Sequence, residues 1–130
     1  MVKAAVDVTP IVEAYVEKLK RDLDVDRVLL ADVHTNGIDG APTEIWFIVV
    51  SSAFENMEWL KRSEDLGLAG FEVSPLIMAW PYTPDEFAGH FHGDKYDGWL
   101  AQTLGGSREV YLKPGCTPLQ KLNKAAGGKQ

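Results

Sequence analysis

Residue types able to do chemistry gather at two places in this chain. Asp32-Val-His34 sets a carboxylate and an imidazole two residues apart, and Glu44 follows at the head of the next apolar run. Residues two apart on an extended chain share a face. Asp32 and His34, with Glu44 nearby, would offer the oxygen and nitrogen ligands a transition metal accepts. The alternative is a set of solvated edge side chains, because a metal needs a third ligand brought in by the fold. His90-Phe-His92 with Asp94 is the second group. Its imidazoles share a face only in an extended segment and diverge in a helix, and solvated histidines between Gly89 and Gly93 are the plainer reading. Asp22, Asp24 and Asp26 alternate like part of a calcium loop, but the glycine and distant glutamate of that loop are missing. No metal site is assigned. No Ser/His/Asp or Cys/His nucleophile, Walker loop or dinucleotide fingerprint is visible.

The elements that must position these residues begin with two apolar runs. Arg27-Val-Leu-Leu-Ala31 and Glu44-Ile-Trp-Phe-Ile-Val-Val-Ser51 are continuous, short and bounded by turn residues, the pattern of strands covered on both faces. The intervening stretch, Asp32 to Thr43, carries the turn dipeptides Asn36-Gly37 and Asp39-Gly40 and is expected to be a loop at one end of a sheet.

Upstream, Thr9-Pro10 predicts a helix start with Thr9 as cap, and Val12, Tyr15, Val16, Leu19 and Leu23 mark one apolar face. Downstream, Ser52-Ala-Phe-Glu55 is a capping box, predicting a helix from about Ala53 into the sixties that ends at Gly67 and Gly70. Phe71 to Trp80 is expected as a third strand, so the strand–helix–strand unit implies a parallel crossover. Thr83-Pro-Asp-Glu86 is a second capping box, predicting a short helix through Phe87. Tyr96, Trp99, Leu100, Thr103 and Leu104 recur at helical spacing until Gly105-Gly106, and Glu109-Val-Tyr-Leu112 is a last short strand.

Composition bounds the reading. A chain of 130 residues with 45% hydrophobic content suits one domain with one core. The expected division is a domain over residues 1–112 and a flexible lysine-bearing tail over 113–130, which lacks a sustained apolar face. No run is long enough to span a membrane. Acidic residues in the amphipathic first segment argue against a secretory signal. The lone Cys116 cannot form an internal disulfide, and the default setting is cytoplasmic. The formal charge is −6, and residues 1–112 hold 9 basic against 19 acidic side chains. So acidic a body disfavours nonspecific nucleic-acid binding, which depends on neutralising phosphates.

Val28-Leu-Leu followed by the Gly37 loop, Ile48-Val-Val-Ser51, Tyr82-Thr-Pro-Asp-Glu-Phe87 and Gly106-x-x-Glu109-Val-Tyr-Leu112 stand in a particular order. That order resembles the minimal nucleotidyltransferase domains, small relatives of the DNA polymerase β palm, over about residues 8 to 112. The resemblance implies an α/β (α+β) fold with a mixed sheet of about four strands flanked by helices. Active members carry a Gly-Ser pair after the first strand, Asp-x-Asp on the second and an Asp on the third. Their carboxylates hold two magnesium ions that clamp the attacking and leaving oxygens of nucleotidyl transfer.

Carried onto this chain, the Gly-Ser pair falls on Asp32-Val33, the Asp-x-Asp carboxylates on Glu44 and Trp46, and the third Asp near Met78. An indole offers no hard oxygen, and a thioether is too soft for magnesium. Asp32 would repel a triphosphate at short range, and Val33 removes the hydroxyl. The transfer chemistry is expected to be absent or very weak, with Glu44 as the one catalytic candidate, or else a carboxylate facing water.

Apolar groups in place of buried carboxylates remove a desolvation cost. Trp46 and Met78, with Trp80 and His34, would then either plug the dead site or rebuild it as a ligand pocket. The expected role is that of a pseudoenzyme: a non-catalytic binding or regulatory module acting through a protein partner, which in this family is often a small helical protein, or through a homodimer. No cofactor is expected on that reading. The competing readings are a weak enzyme needing Mg2+ and a nucleoside triphosphate, using Glu44 with Asp32, Asp39 or His34, and a small-molecule binder at Trp46.

Overall fold

A β-hairpin sits at the centre of the fold. β1 (Val25–Thr35) and β2 (Pro42–Ser51) pair antiparallel from Val25 opposite Ser51 to Thr35 opposite Pro42. The computed structural model describes residues 7–92 and 98–122. Around the hairpin lie α1 (Thr9–Asp22), a 3-10 turn (Ser52–Phe54), α2 (Trp59–Val73), β3 (Ile77–Tyr82), α3 (Pro84–His92), α4 (Gly98–Leu104) and β4 (Arg108–Leu112). The strand order is β3-β2-β1-β4. β1 is antiparallel to both neighbours, while β3 runs parallel to β2 after the α2 crossover. This is an α+β fold with a four-stranded mixed sheet and helices packed against it, the class the sequence implied.

The two central strands are apolar on both faces because both are covered. On one face Val28, Phe47 and Val49 pack with Val12, Tyr15, Val16 and Leu19 of α1 and Leu66 of α2. On the other, Leu29, Ile48 and Val50 meet Phe87 of α3, Leu100 and Leu104 of α4, and Leu119. Burying such side chains stabilises by roughly 1.5–3 kcal/mol each.

Several boundaries differ from expectation. β1 runs four residues past Ala31, so the expected loop over Asp32–Thr43 shrinks to a tight turn between Asn36 and Ala41. Asn36 closes that turn: its side chain accepts from the Ile38 amide and its backbone amide donates to the Ala41 carbonyl. α1 begins at Thr9 with Val8 at the cap position and no side-chain cap bond; Asp7, not Thr9, accepts the exposed amide there.

The Ser52–Glu55 box opens only the 3-10 turn. Ser51 caps it, Asn56 at φ 66° breaks it, and α2 starts at Trp59. α2 then runs through Gly67 and Gly70, so Phe71 is helical and exposed rather than the start of a strand. Gly70 is required by packing: a Cβ there would lie 2.8 Å from Ile77 Cγ2. The Thr83 box does cap α3 as written. Glu86 N donates to Thr83 Oγ1 at 3.1 Å, and Thr83 N donates to Glu86 Oε1 at 2.9 Å. α3 continues five residues beyond Phe87.

Residues 113–122 return to the body. Leu119 is buried and Leu122 packs beside it. Arg27, 6% exposed, holds them: it donates to Glu109 Oε2 at 2.8 Å and to the Thr117 carbonyl at 2.7 Å, with its guanidinium over the Phe87 ring. The remainder of the expected tail, with Lys124 and Lys129, lies outside the described residues, as do Asp94 and Tyr96. Among the described residues, no helix is long and apolar enough to cross a membrane.

Candidate functional site

Asp32, Trp46 and Met78 form one row across three strands: Asp32 pairs with Trp46, and Trp46 with Met78. In the next row His34 pairs with Glu44. A β-bulge decides which face Asp32 and His34 join. Leu29 and Ala31 belong to the α3/α4 side, whereas Val28 and Leu30 belong to the α1/α2 side. Strict alternation would send Asp32 and His34 with Leu30. The register slips between Leu30 and Asp32, and one extra residue re-aims the chain. Asp32 and His34 thereby come to the face of Trp46, and Val33 turns into the α1/α2 core.

Four aromatic rings meet there. The His34 ring lies on Trp46 with centroids 4.3 Å apart. Trp46 meets Trp80 at 4.9 Å, and Trp80 stacks on Trp99 at 4.6 Å. Trp46 Nε1 donates to Glu44 Oε1 at 2.7 Å, which fixes the indole in its plane and occupies one carboxylate oxygen. His34 Nε2 lies 3.2 Å from Asp32 Oδ2, within ion-pair distance when the ring is protonated. The other Asp32 oxygen accepts the Val33 amide.

Trp46 and Trp99 wall one side of an open cleft of about 460 Å3, with Ala31 and Asp32 of β1 and Gln102, Thr103 and Gly106 at the end of α4. That volume is in the range of small-molecule sites. Among the described residues of the lining, Asp32 is the only charged side chain.

Among the other sequence candidates, Met78 is beside Trp46 on an edge strand and 43% exposed. The alternating acids at 22–26 separate: Asp22 pairs with Lys18 and Asp24 with Lys113. His90 and His92 both fall within α3, so the segment is helical and not extended. Among the described residues no group of three or more His, Cys, Asp or Glu side chains gathers as a metal site would require. The sequence pattern sets Trp99 and Thr103 on one helix face without linking either to Trp46, and it gives no sign of Gln102. The available signal was the count of four tryptophans, three of which meet here.

Compared with models of known protein families and with curated proteins, the chain matches none.

Proposed function

We propose that this chain is a non-catalytic binding module on a nucleotidyltransferase-like scaffold. The observation that carries the reading is the indole of Trp46, in ring contact with His34 and with Trp80 and bonded to Glu44. On the resemblance, Trp46 stands at the second carboxylate of the metal pair, and Met78 is its neighbour on the next strand. Glu44 already accepts one hydrogen bond. The Asp32-Val33 position lies inside a strand instead of on a loop, so its backbone amides cannot wrap a polyphosphate.

A surface for a protein partner is available on α2. Leu60, Leu68 and Phe71 are 68%, 69% and 72% exposed, and their spacing puts them on one outer stripe. Glu64 lies within that stripe, so a second copy would bring like charges together, and a different chain offering a basic residue fits better.

The test is calorimetric titration with Mg2+ and each of ATP, GTP, CTP and UTP, beside an assay for nucleotide transfer. Neither saturable heat nor transfer is expected. Saturable metal-dependent binding abolished by Glu44→Ala would overturn the reading. Sedimentation should find a monomer over about 10–500 μM; self-association removed by Leu68→Lys would assign the stripe to a second copy.

A further inference from the structure

We infer that the cleft between β1 and α4 binds a small organic cation, with the indoles of Trp46 and Trp99 as its walls and Asp32 as its counter-charge. The inference needs neither the family resemblance nor the α2 surface. Indole faces carry negative potential and attract cations more strongly than any other side-chain ring. Two indoles line the cleft, and both are held in place, Trp99 by Trp80 and Trp46 by His34 and Trp80. The Trp46 N–H donates to the Glu44 carboxylate, and that bond pushes electron density into the ring and deepens its negative face.

Charge selects the same class of ligand. Asp32 faces the cleft, no Lys or Arg stands among the described lining residues, and the chain as a whole is acidic. An anion would meet the Asp32 carboxylate and the indoles, with no Lys or Arg among the described lining residues to neutralise it. An inorganic cation would lack oxygen ligands, since the lining offers one carboxylate beside an amide and a hydroxyl. An alkylammonium group satisfies the site because it asks for aromatic contact and one nearby negative charge, and its hydration is cheap to remove.

The probe is choline, set against its neutral carbon analogue 3,3-dimethyl-1-butanol, with methyl glucoside as a neutral polyol that also stacks on indoles. Tryptophan emission and indole N–H proton shifts of the full chain are followed during titration. Choline should saturate, and the neutral alcohol should bind about tenfold more weakly or less. Asp32→Asn should weaken choline about tenfold and leave the alcohol unchanged. Gln102→Lys, at an exposed position, should abolish choline binding by placing an ammonium at the mouth while circular dichroism remains that of the parent chain. Equal binding of choline and the alcohol, indifference to both substitutions, preference for the glucoside, or no saturation up to about 100 mM would each overturn the inference.

Discussion

The Trp46 indole N–H points at Glu44 Oε1 across 2.7 Å, two residues back along the same strand. Both side chains are half-buried, so the bond is partly shielded from water. Glu44→Ala should leave the indole donor without this partner and cost about 1 kcal/mol. Glu44→Gln keeps an acceptor oxygen and should cost less. The check is chemical denaturation with the indole N–H resonance as local probe. An unshifted resonance in Glu44→Ala would mean that the carboxylate does not hold the ring.

The ion pair between Arg62 and Glu86 ties α2 to the cap of α3. Arg62, 7% exposed, donates through Nη1 to Glu86 Oε1 at 2.7 Å and through Nε to the Met57 carbonyl at 2.9 Å. Burial by itself raises the Glu86 carboxyl; hydrogen bonds from Thr83 and Arg62, and the Arg62 charge, outweigh it and hold the group below its ordinary value of 4.5. A carboxyl depressed in the folded state stabilises fully above its unfolded value, and the contribution fades as pH falls through the folded value. Stability should therefore drop below about pH 4.5. Glu86→Gln should flatten that acid limb and cost about 2 kcal/mol at neutral pH, less than a fully buried pair because Glu86 is partly solvated. Thermal unfolding of both proteins from pH 3 to 7 checks this; parallel curves would refute it.

Arg27 fastens the returning segment. It bridges Glu109 and the Thr117 carbonyl, and Glu109 Oε1 accepts the Leu119 amide at 3.2 Å. Arg27→Ala should cost about 3 kcal/mol by leaving Glu109 without its partner. Arg27→Lys should rescue little of this, since an ammonium cannot reproduce the planar fork. Hydrogen exchange at Leu119 should speed up in both variants. Unchanged protection would mean that Leu119 burial alone holds the segment.

Two glycines of α2 should respond in opposite directions to alanine. At Gly67 an added Cβ meets no atom within 4 Å, and the helix gains about 1 kcal/mol of propensity. At Gly70 the Cβ would press on Ile77, and overpacking should outweigh that gain by about 1–2 kcal/mol. Denaturant midpoints of the two variants decide it; stabilisation by both would show that Ile77 gives way freely.

Much of this architecture was legible without coordinates. Two short continuous apolar runs bounded by turn residues pointed to strands covered on both sides, because an exposed face would have demanded alternation. The Thr83–Glu86 cap was legible too, since its bonds join neighbours three residues apart. The extent of α2 was not. Glycine costs a helix only about 1 kcal/mol, and contact between Gly70 and Ile77 across the crossover makes it the better residue there.

The cleft was legible only in its pieces. Asp32, His34, Glu44 and Trp46 announce themselves by type, but their common face does not follow from parity along β1. One slipped register beside Ala31 moves Asp32 and His34 across the sheet, and α4 then brings Trp99 onto Trp80 and within reach of Trp46, which lies more than fifty residues earlier. Local pattern determines which segments become strand or helix, because backbone hydrogen bonding and periodic burial act between near neighbours. Which side chains meet was decided by pairing register and by packing between distant elements, and those depend on the whole core at once.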